Sequence, residues 1–287
     1  MSSRTTIRLA FSPDSDDIFM FWPAIVGKID TEGLAFQVER ADTETLNARA
    51  QAHDLDVMAL SVAAWPSVAQ RYLLLRTGMS VGRGYGPIVA ARGPRSLESL
   101  AKARIGVPGL RTTAYTVLRL LLPGFEPVVV PIVPYARVFD AVRSGEVEAA
   151  LIIHEGRLTF EREGLSLVCD LGQQWARMTG GLPLPLGANA VRRDLGPEAV
   201  ARVSRVCQSS MQWALAHREE TMRALLDDES RGDVRLTTAM LDRYLGMYAN
   251  VDTLDAPADV CQAVDVLFER AHEAGLLPDR VRAEFAL

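Results

Sequence analysis

Apolar and polar residues alternate in two registers along the first 170 positions. Short apolar runs at Ile7–Phe11, Leu55–Leu60, Ile88–Ala91, Arg104–Val107, Ala149–Ile153 and Leu165–Asp170 predict strands. Ala35–Glu39 alternates apolar with polar and predicts another, and Leu73–Leu75 is a short one. Between them, Ile18–Val26, Glu44–Gln51, Val62–Gln70, Thr112–Leu122 and Arg137–Ser144 carry helical spacing, Ile18–Val26 ending at Gly27 and Arg137–Ser144 at Gly145. Val128–Ile132 reads as a strand whose Pro131 places it at an edge. Strand–helix alternation of this kind predicts an α/β fold with largely parallel sheets. From Pro197 onward the pattern is helical only, over Glu198–Ala216, Leu236–Tyr248 and Ala258–Ala274.

Two stretches interrupt the alternation. Gly82-Arg-Gly-Tyr-Gly-Pro87 is a glycine-rich link, and Gly180–Gly187 holds too many prolines for a central strand. Two crossover points imply one lobe inserted into another. Residues 1–90 with 191–287 would form the first lobe and carry the C-terminal helices. Residues 91–190 would form the second, with a ligand cleft between them.

At 287 residues the chain suits two such units, and 48% apolar with 23% charged residues is the mix of a globular protein. A net charge of -5 and the lack of any run of four basic residues argue against a nucleic-acid partner. No stretch approaches the roughly 20 apolar residues that span a bilayer, and the Ile7–Phe11 run is too short for a signal-peptide core. These features point to a cytoplasmic protein with no membrane partner. They do not choose between a monomer and a homodimer, which are the two assemblies expected. Cys169, Cys207 and Cys261 are distant from one another and read as free thiols.

Candidate chemistry sits where strands end. Ser12-Pro-Asp-Ser-Asp-Asp17 reads either as a helix cap, with Asp14 or Ser15 at the N-cap, or as a ligand-contacting loop. Thr112 and Thr113 open a helix after a strand, a place suited to a carboxylate or phosphate. His154 follows a buried strand directly, unlike His53, His217 and His272, and is the candidate general base, with a neutral imidazole near pH 7. No Gly-x-Ser-x-Gly elbow and no metal-ligand spacing occur, so neither a serine hydrolase nor a metal centre is expected.

The combination of Thr112-Thr113, Ile152-Ile-His-Glu155 and Leu182-Pro-Leu-Pro-Leu-Gly187 resembles the 1,4-dihydroxy-6-naphthoate synthase family of futalosine-pathway menaquinone biosynthesis. Phe11-Ser-Pro13, Glu44-Thr-Leu-Asn47, Tyr72–Pro87 and Arg192-Arg-Asp-Leu-Gly196 extend the resemblance over most of the chain. It implies a two-lobed, type II periplasmic-binding-protein-like fold, no cofactor and a small carboxylate substrate, cyclic dehypoxanthine futalosine. It also implies His154 as proton acceptor, with Ala59, Leu60, Ser61, Thr112 and Thr113 contacting substrate. Two departures stand out. The family loop Ser-Pro-Cys-Pro-Asn-Asp is here Ser12-Pro-Asp-Ser-Asp-Asp17, and a lysine common before the Leu-Ser pair is Ala59. Both shift the cleft toward negative charge. A chorismate dehydratase-like sister enzyme and a noncatalytic carboxylate binder are the alternative functions.

Overall fold

A computed structural model describes residues 5–228 and 236–286. Residues 1–4, part of the segment read above for a leader, lie outside the described residues, as do the outermost lobe bounds. In chain order the elements of the first half are β1 (Thr5–Phe11), α1 (Ser15–Ile25), β2 (Leu34–Arg40), α2 (Thr43–Arg49), β3 (Val57–Ser61), β4 (Tyr72–Leu74), β5 (Ser80–Gly82), β6 (Ile88–Ala91), β7 (Arg104–Val107), α3 (Thr113–Leu121), β8 (Glu126–Val129) and α4 (Ala136–Ser144). There follow β9 (Ala149–Ile152), β10 (Ser166–Asp170), α5 (Leu171–Thr179), β11 (Leu184–Arg192), α6 (Pro197–Ala216), α7 (Arg218–Leu226), α8 (Thr238–Tyr248), α9 (Val251–Leu254) and α10 (Ala258–Glu273).

Two sheets result. The first has the order β2-β1-β3-β11-β4, with β5 also paired to β11, and the second β10-β6-β9-β7-β8. Both are mixed rather than largely parallel. β1 runs parallel to β2 and β3, but β11 is antiparallel to β3, β4 and β5. In the second sheet β7 is parallel to β8 and β9, while β6 is antiparallel to β9 and β10. β8 ends the second sheet, the edge position expected of this strand, but it spans Glu126–Val129 and leaves Pro131 outside it.

The proline-rich stretch, expected to be a link, enters the central strand β11. Pro185 sits beside a register shift between itself and Gly187, where the ladder is already irregular, so its missing N–H is tolerated. The strand pairings thus put β6 in the second sheet and β11 in the first. The exchanges fall ahead of the 90/91 and 190/191 bounds read from the sequence. The C-terminal helices pack on the first lobe: α6 lies along α1, and α10 lies against β11.

Side-chain alternation sets the layers. Val89 and Ala91 of β6, with Ala149 and Leu151 of β9, face the main core. Ile88, Ala90, Ala150 and Ile152 face a second cluster under Val138, Phe139 and Val142 of α4. The glycine-rich link passes flat against the start of α5. A Cβ on Gly172 would lie 2.0 Å from the Tyr85 carbonyl oxygen, and one on Gly86 would lie 2.9 Å from the Gly172 nitrogen. The lack of a side chain at Gly86 and Gly172 therefore lets two backbone segments pack closely. All three cysteines are free, Cys169 and Cys207 buried and Cys261 partly so.

Candidate active site

A cleft of about 760 Å³ opens between the sheets, lined from both lobes and from α8. It lies beyond the carboxyl ends of β1, β3, β7 and β9, where an open α/β sheet presents its loops. All six residues expected to act there line it: His154, Ala59, Leu60, Ser61, Thr112 and Thr113.

His154 begins a 3-10 turn, His154–Leu158, directly after β9, and holds a left-handed backbone with φ of 49°. A non-glycine residue in that region costs on the order of 1–3 kcal/mol, which the surrounding contacts must offset. The turn sends the imidazole across the cleft to the first lobe. There Nδ1 lies 2.7 Å from Oδ2 of Asp14, and Nε2 lies 3.2 Å from Oγ1 of Thr43 at the start of α2. Neighbouring Glu155 also reaches across. Its Oε1 accepts from the Ser15 N–H at 3.0 Å and the Ser15 hydroxyl at 2.6 Å. Arg157 is instead paired with buried Asp170 at 2.7 Å and donates to the Gly86 carbonyl. Asp14, read from the sequence only as a cap or ligand-loop residue, is paired with the histidine ring.

The loop Ser12–Asp17 therefore does more than cap a helix. Asp14 occupies the N-cap of α1, yet its side chain makes no capping bond. Asp17 accepts from the Ser12 N–H at 2.9 Å, and Asp16 accepts from the Tyr244 hydroxyl at 2.9 Å. Burial opposes the charge on all three acids. For Asp16, burial foremost and then the Asp14 charge push the carboxyl up to about 8. Burial and the charges of Asp14 and Asp16 push Asp17 well above the usual carboxylate range. At Asp14 the charge and hydrogen bond of His154 outweigh burial and hold the carboxyl low. Burial works against the imidazolium as well, but the Asp14 charge and hydrogen bond, reinforced by Glu155 and Asp16, raise His154 to about 9. The resting histidine near pH 7 is thus an imidazolium, not the neutral ring expected from its ordinary pKa.

The threonines behave differently from the sequence expectation. The Thr112 hydroxyl caps α3, accepting from the Tyr115 N–H at 3.2 Å and donating to the Gly109 carbonyl at 2.9 Å. The Thr113 hydroxyl donates to the Leu186 carbonyl at 2.6 Å and accepts from the Ala63 N–H at 3.1 Å. Both hydroxyls are committed to the protein. What α3 offers the cleft is the N–H groups of Thr113 and Ala114, which have no partner within the helix, and the positive end of its dipole. Ser61 is held by Asn47, whose side chain accepts the Ser61 N–H at 2.8 Å and donates to its hydroxyl oxygen at 3.0 Å. That leaves the Ser61 hydroxyl proton available to a ligand.

Against the expectation of no metal ligation, Asp14, Asp16 and His154 bring donor atoms within 4.8 Å of one another, close enough for a divalent cation. The two aspartates come from one loop and the histidine from the other lobe, so no sequence spacing marks the trio.

The family model for menaquinone biosynthesis matches residues 7–273. The chain belongs to the menaquinone-biosynthesis family. A relative from Thermus thermophilus, named 1,4-dihydroxy-6-naphtoate synthase, is 40% identical over 280 residues, covering 97% of this chain and 98% of its own length. One of the same name from Streptomyces coelicolor is 34% identical over 280 residues, covering 96% of each. The crystal structure of a protein from Archaeoglobus fulgidus has a TM-score of 0.87 and 39% identity, over 95% of this chain and 98% of that one. The alkanesulfonate-binding protein of Xanthomonas axonopodis, bound to MOPS, has a TM-score of 0.71 at 14% identity, over 98% and 97%. That likeness shows the fold: a periplasmic-binding-protein-like α/β architecture, with helices at the C-terminus. This member of the menaquinone-biosynthesis family is accordingly an enzyme of that pathway. Among the described residues, no helix is long and apolar enough to cross a membrane.

Proposed function

We propose that the chain is a cytoplasmic carbon–carbon lyase that splits cyclic dehypoxanthine futalosine into 1,4-dihydroxy-6-naphthoate and a sugar-derived fragment. The names of the Thermus and Streptomyces relatives support the product. The observation that carries the chemistry is the placement of His154: Nδ1 is engaged by Asp14, while Nε2 faces the cleft beside Thr43. Once neutral, Nε2 accepts a substrate hydroxyl proton. The O–H electron pair becomes a carbonyl bond as the adjoining carbon–carbon bond breaks. The electrons of that bond pass into the ring system that becomes the aromatic naphthoate. The substrate carboxylate sits against the N–H groups at the start of α3, with the Ser61 hydroxyl as a further donor. The lobes are bridged at Ser15–Glu155 and at Arg111–Glu44, contacts that favour exclusion of water from the cleft.

His154→Asn tests this reading. Turnover of cyclic dehypoxanthine futalosine is expected to fall by roughly 10²–10⁴ with binding retained, the usual worth of general acid–base catalysis. His53→Asn and His272→Asn serve as controls. Near-normal turnover in a folded His154→Asn protein removes His154 from the chemistry. Turnover of chorismate instead, or ligand binding without turnover by the unmodified protein, rejects the lyase.

A further inference from the structure

We infer that Asp14 is the positioning residue of this site: it fixes the His154 ring with Nε2 toward the cleft and keeps the ring proton on Nδ1. The inference rests on the lyase reading, because it assigns Asp14 its part through the base named there.

The geometry is direct. Asp14 Oδ2 and His154 Nδ1 are 2.7 Å apart, a charge-assisted distance, with the Asp14 side chain 9% and the His154 side chain 18% exposed. The two residues lie on different lobes and meet because one sits in the loop after β1 and the other in the turn after β9. The Asp14 carboxylate has no proton to give, so Nδ1 must be the donor. When the imidazolium loses a proton, the one retained is therefore on Nδ1, and the lone pair appears on Nε2. Thr43 Oγ1 marks the direction of that lone pair at 3.2 Å. Of the two side-chain contacts to the ring, Asp14 supplies the shorter.

Other groups surround the pair. Asp16 and Asp17 come from the same loop, Glu155 and Arg157 from the His154 turn, Tyr135 from just before α4, and Tyr244 and Tyr248 from α8. Asp16 is bonded to Tyr244, Glu155 to Ser15 and Arg157 to Asp170. Among the described side chains, the ring nitrogens of His154 have bonds only to Asp14 and Thr43.

The experiment needs two readouts. The first is the tautomer of the neutral His154 ring, read from its Nδ1 and Nε2 ¹⁵N shifts and assigned with His154→Asn. The unsubstituted protein is expected to carry the proton on Nδ1, and Asp14→Ala, which removes the acceptor, to lose that preference. The second is turnover. In Asp14→Ala kcat should fall by about tenfold or more because the ring is less well held, with KM changed less than about threefold. Asp14→Asn, whose amide oxygen still accepts from Nδ1, should keep the tautomer and restore part of kcat. It also carries the test if Asp14→Ala does not fold. A ring that carries its proton on Nε2 in the unsubstituted protein, or a tautomer and kcat unchanged in Asp14→Ala, overturns the proposal. The tautomer requires no substrate, so an Nδ1-protonated ring in a protein that does not cleave the futalosine derivative rejects the lyase while the pairing stands. An Nε2-protonated ring with normal cleavage does the reverse.

Discussion

Replacing Ser15 by alanine should weaken the join between the two lobes by a calculable amount. Ser15 is fully buried at the start of α1, and its hydroxyl donates to Glu155 Oε1 at 2.6 Å across the cleft. Alanine keeps the Cβ and the backbone N–H, whose own 3.0 Å bond to the same oxygen survives. The change thus deletes one oxygen and one hydrogen bond to a carboxyl group. Such a bond is worth about 1–3 kcal/mol, from the neutral to the charge-assisted case. Unfolding entropy near 2.1 cal/mol/K per residue gives roughly 0.6 kcal/mol/K for a chain of 287 residues. The loss therefore corresponds to a Tm lower by about 2–5 °C. Urea unfolding measures the same quantity as a lower midpoint with unchanged slope. Ser99→Ala is the matched control. Its hydroxyl bonds the Ser96 carbonyl at 2.7 Å in an exposed turn, and its removal should cost within about 0.5 kcal/mol. If Ser15→Ala and Ser99→Ala are equally mild, the lobes are not held together by this contact.

Two further outcomes follow from the same packing. Asp16→Asn should stabilise the protein increasingly as pH rises from about 4 to 8. The buried acid titrates near 8 when folded and near 3.9 when unfolded, so the native state of the unsubstituted protein holds its proton more tightly and loses stability across that window. Urea midpoints of the two proteins at pH 5 and pH 8 read the effect, and a pH-independent difference contradicts it. Gly172→Ala should abolish folding or sharply lower Tm, since its Cβ would lie 2.0 Å from the Tyr85 carbonyl oxygen, which is backbone and cannot rotate away. A Tm within about 2 °C of the unsubstituted protein would show that the link between the sheets can shift to make room.

Elements with a clear local period were legible in the chain. β1, β3, β6, β7 and β9 coincide with apolar runs, and α6 and α10 with spacings of three and four. Two kinds of element escaped. α5 has too few apolar positions over its nine residues, chiefly Leu171 and Trp175, to show a stripe. β11 contains Pro185, which local rules bar from a central strand. The register shift that admits it depends on β5, about a hundred residues away. In the site, His154 was found because it follows a buried strand, and the two threonines because they open a helix after one. Their partners were not, because Asp14, Thr43 and Leu186 reach them only through the tertiary fold.

The acidic loop marks the boundary between what composition tells and what only folding decides. Counted along the sequence, Asp14, Asp16 and Asp17 make the cleft more negative than the family loop would. Folded, they are not three equivalent charges. Burial pushes the carboxyls of Asp16 and Asp17 up, toward their neutral forms, while Asp14 is held low and faces the imidazolium it stabilises. The local negative charge is thereby reduced, and the N-terminus of α3 faces the same cavity with N–H groups that have no partner within the helix. The carboxylated substrate proposed for this cleft therefore meets less negative charge than three aspartates would suggest. The arrangement that eases this electrostatic conflict is the same one that turns Nε2 of His154 toward the cleft.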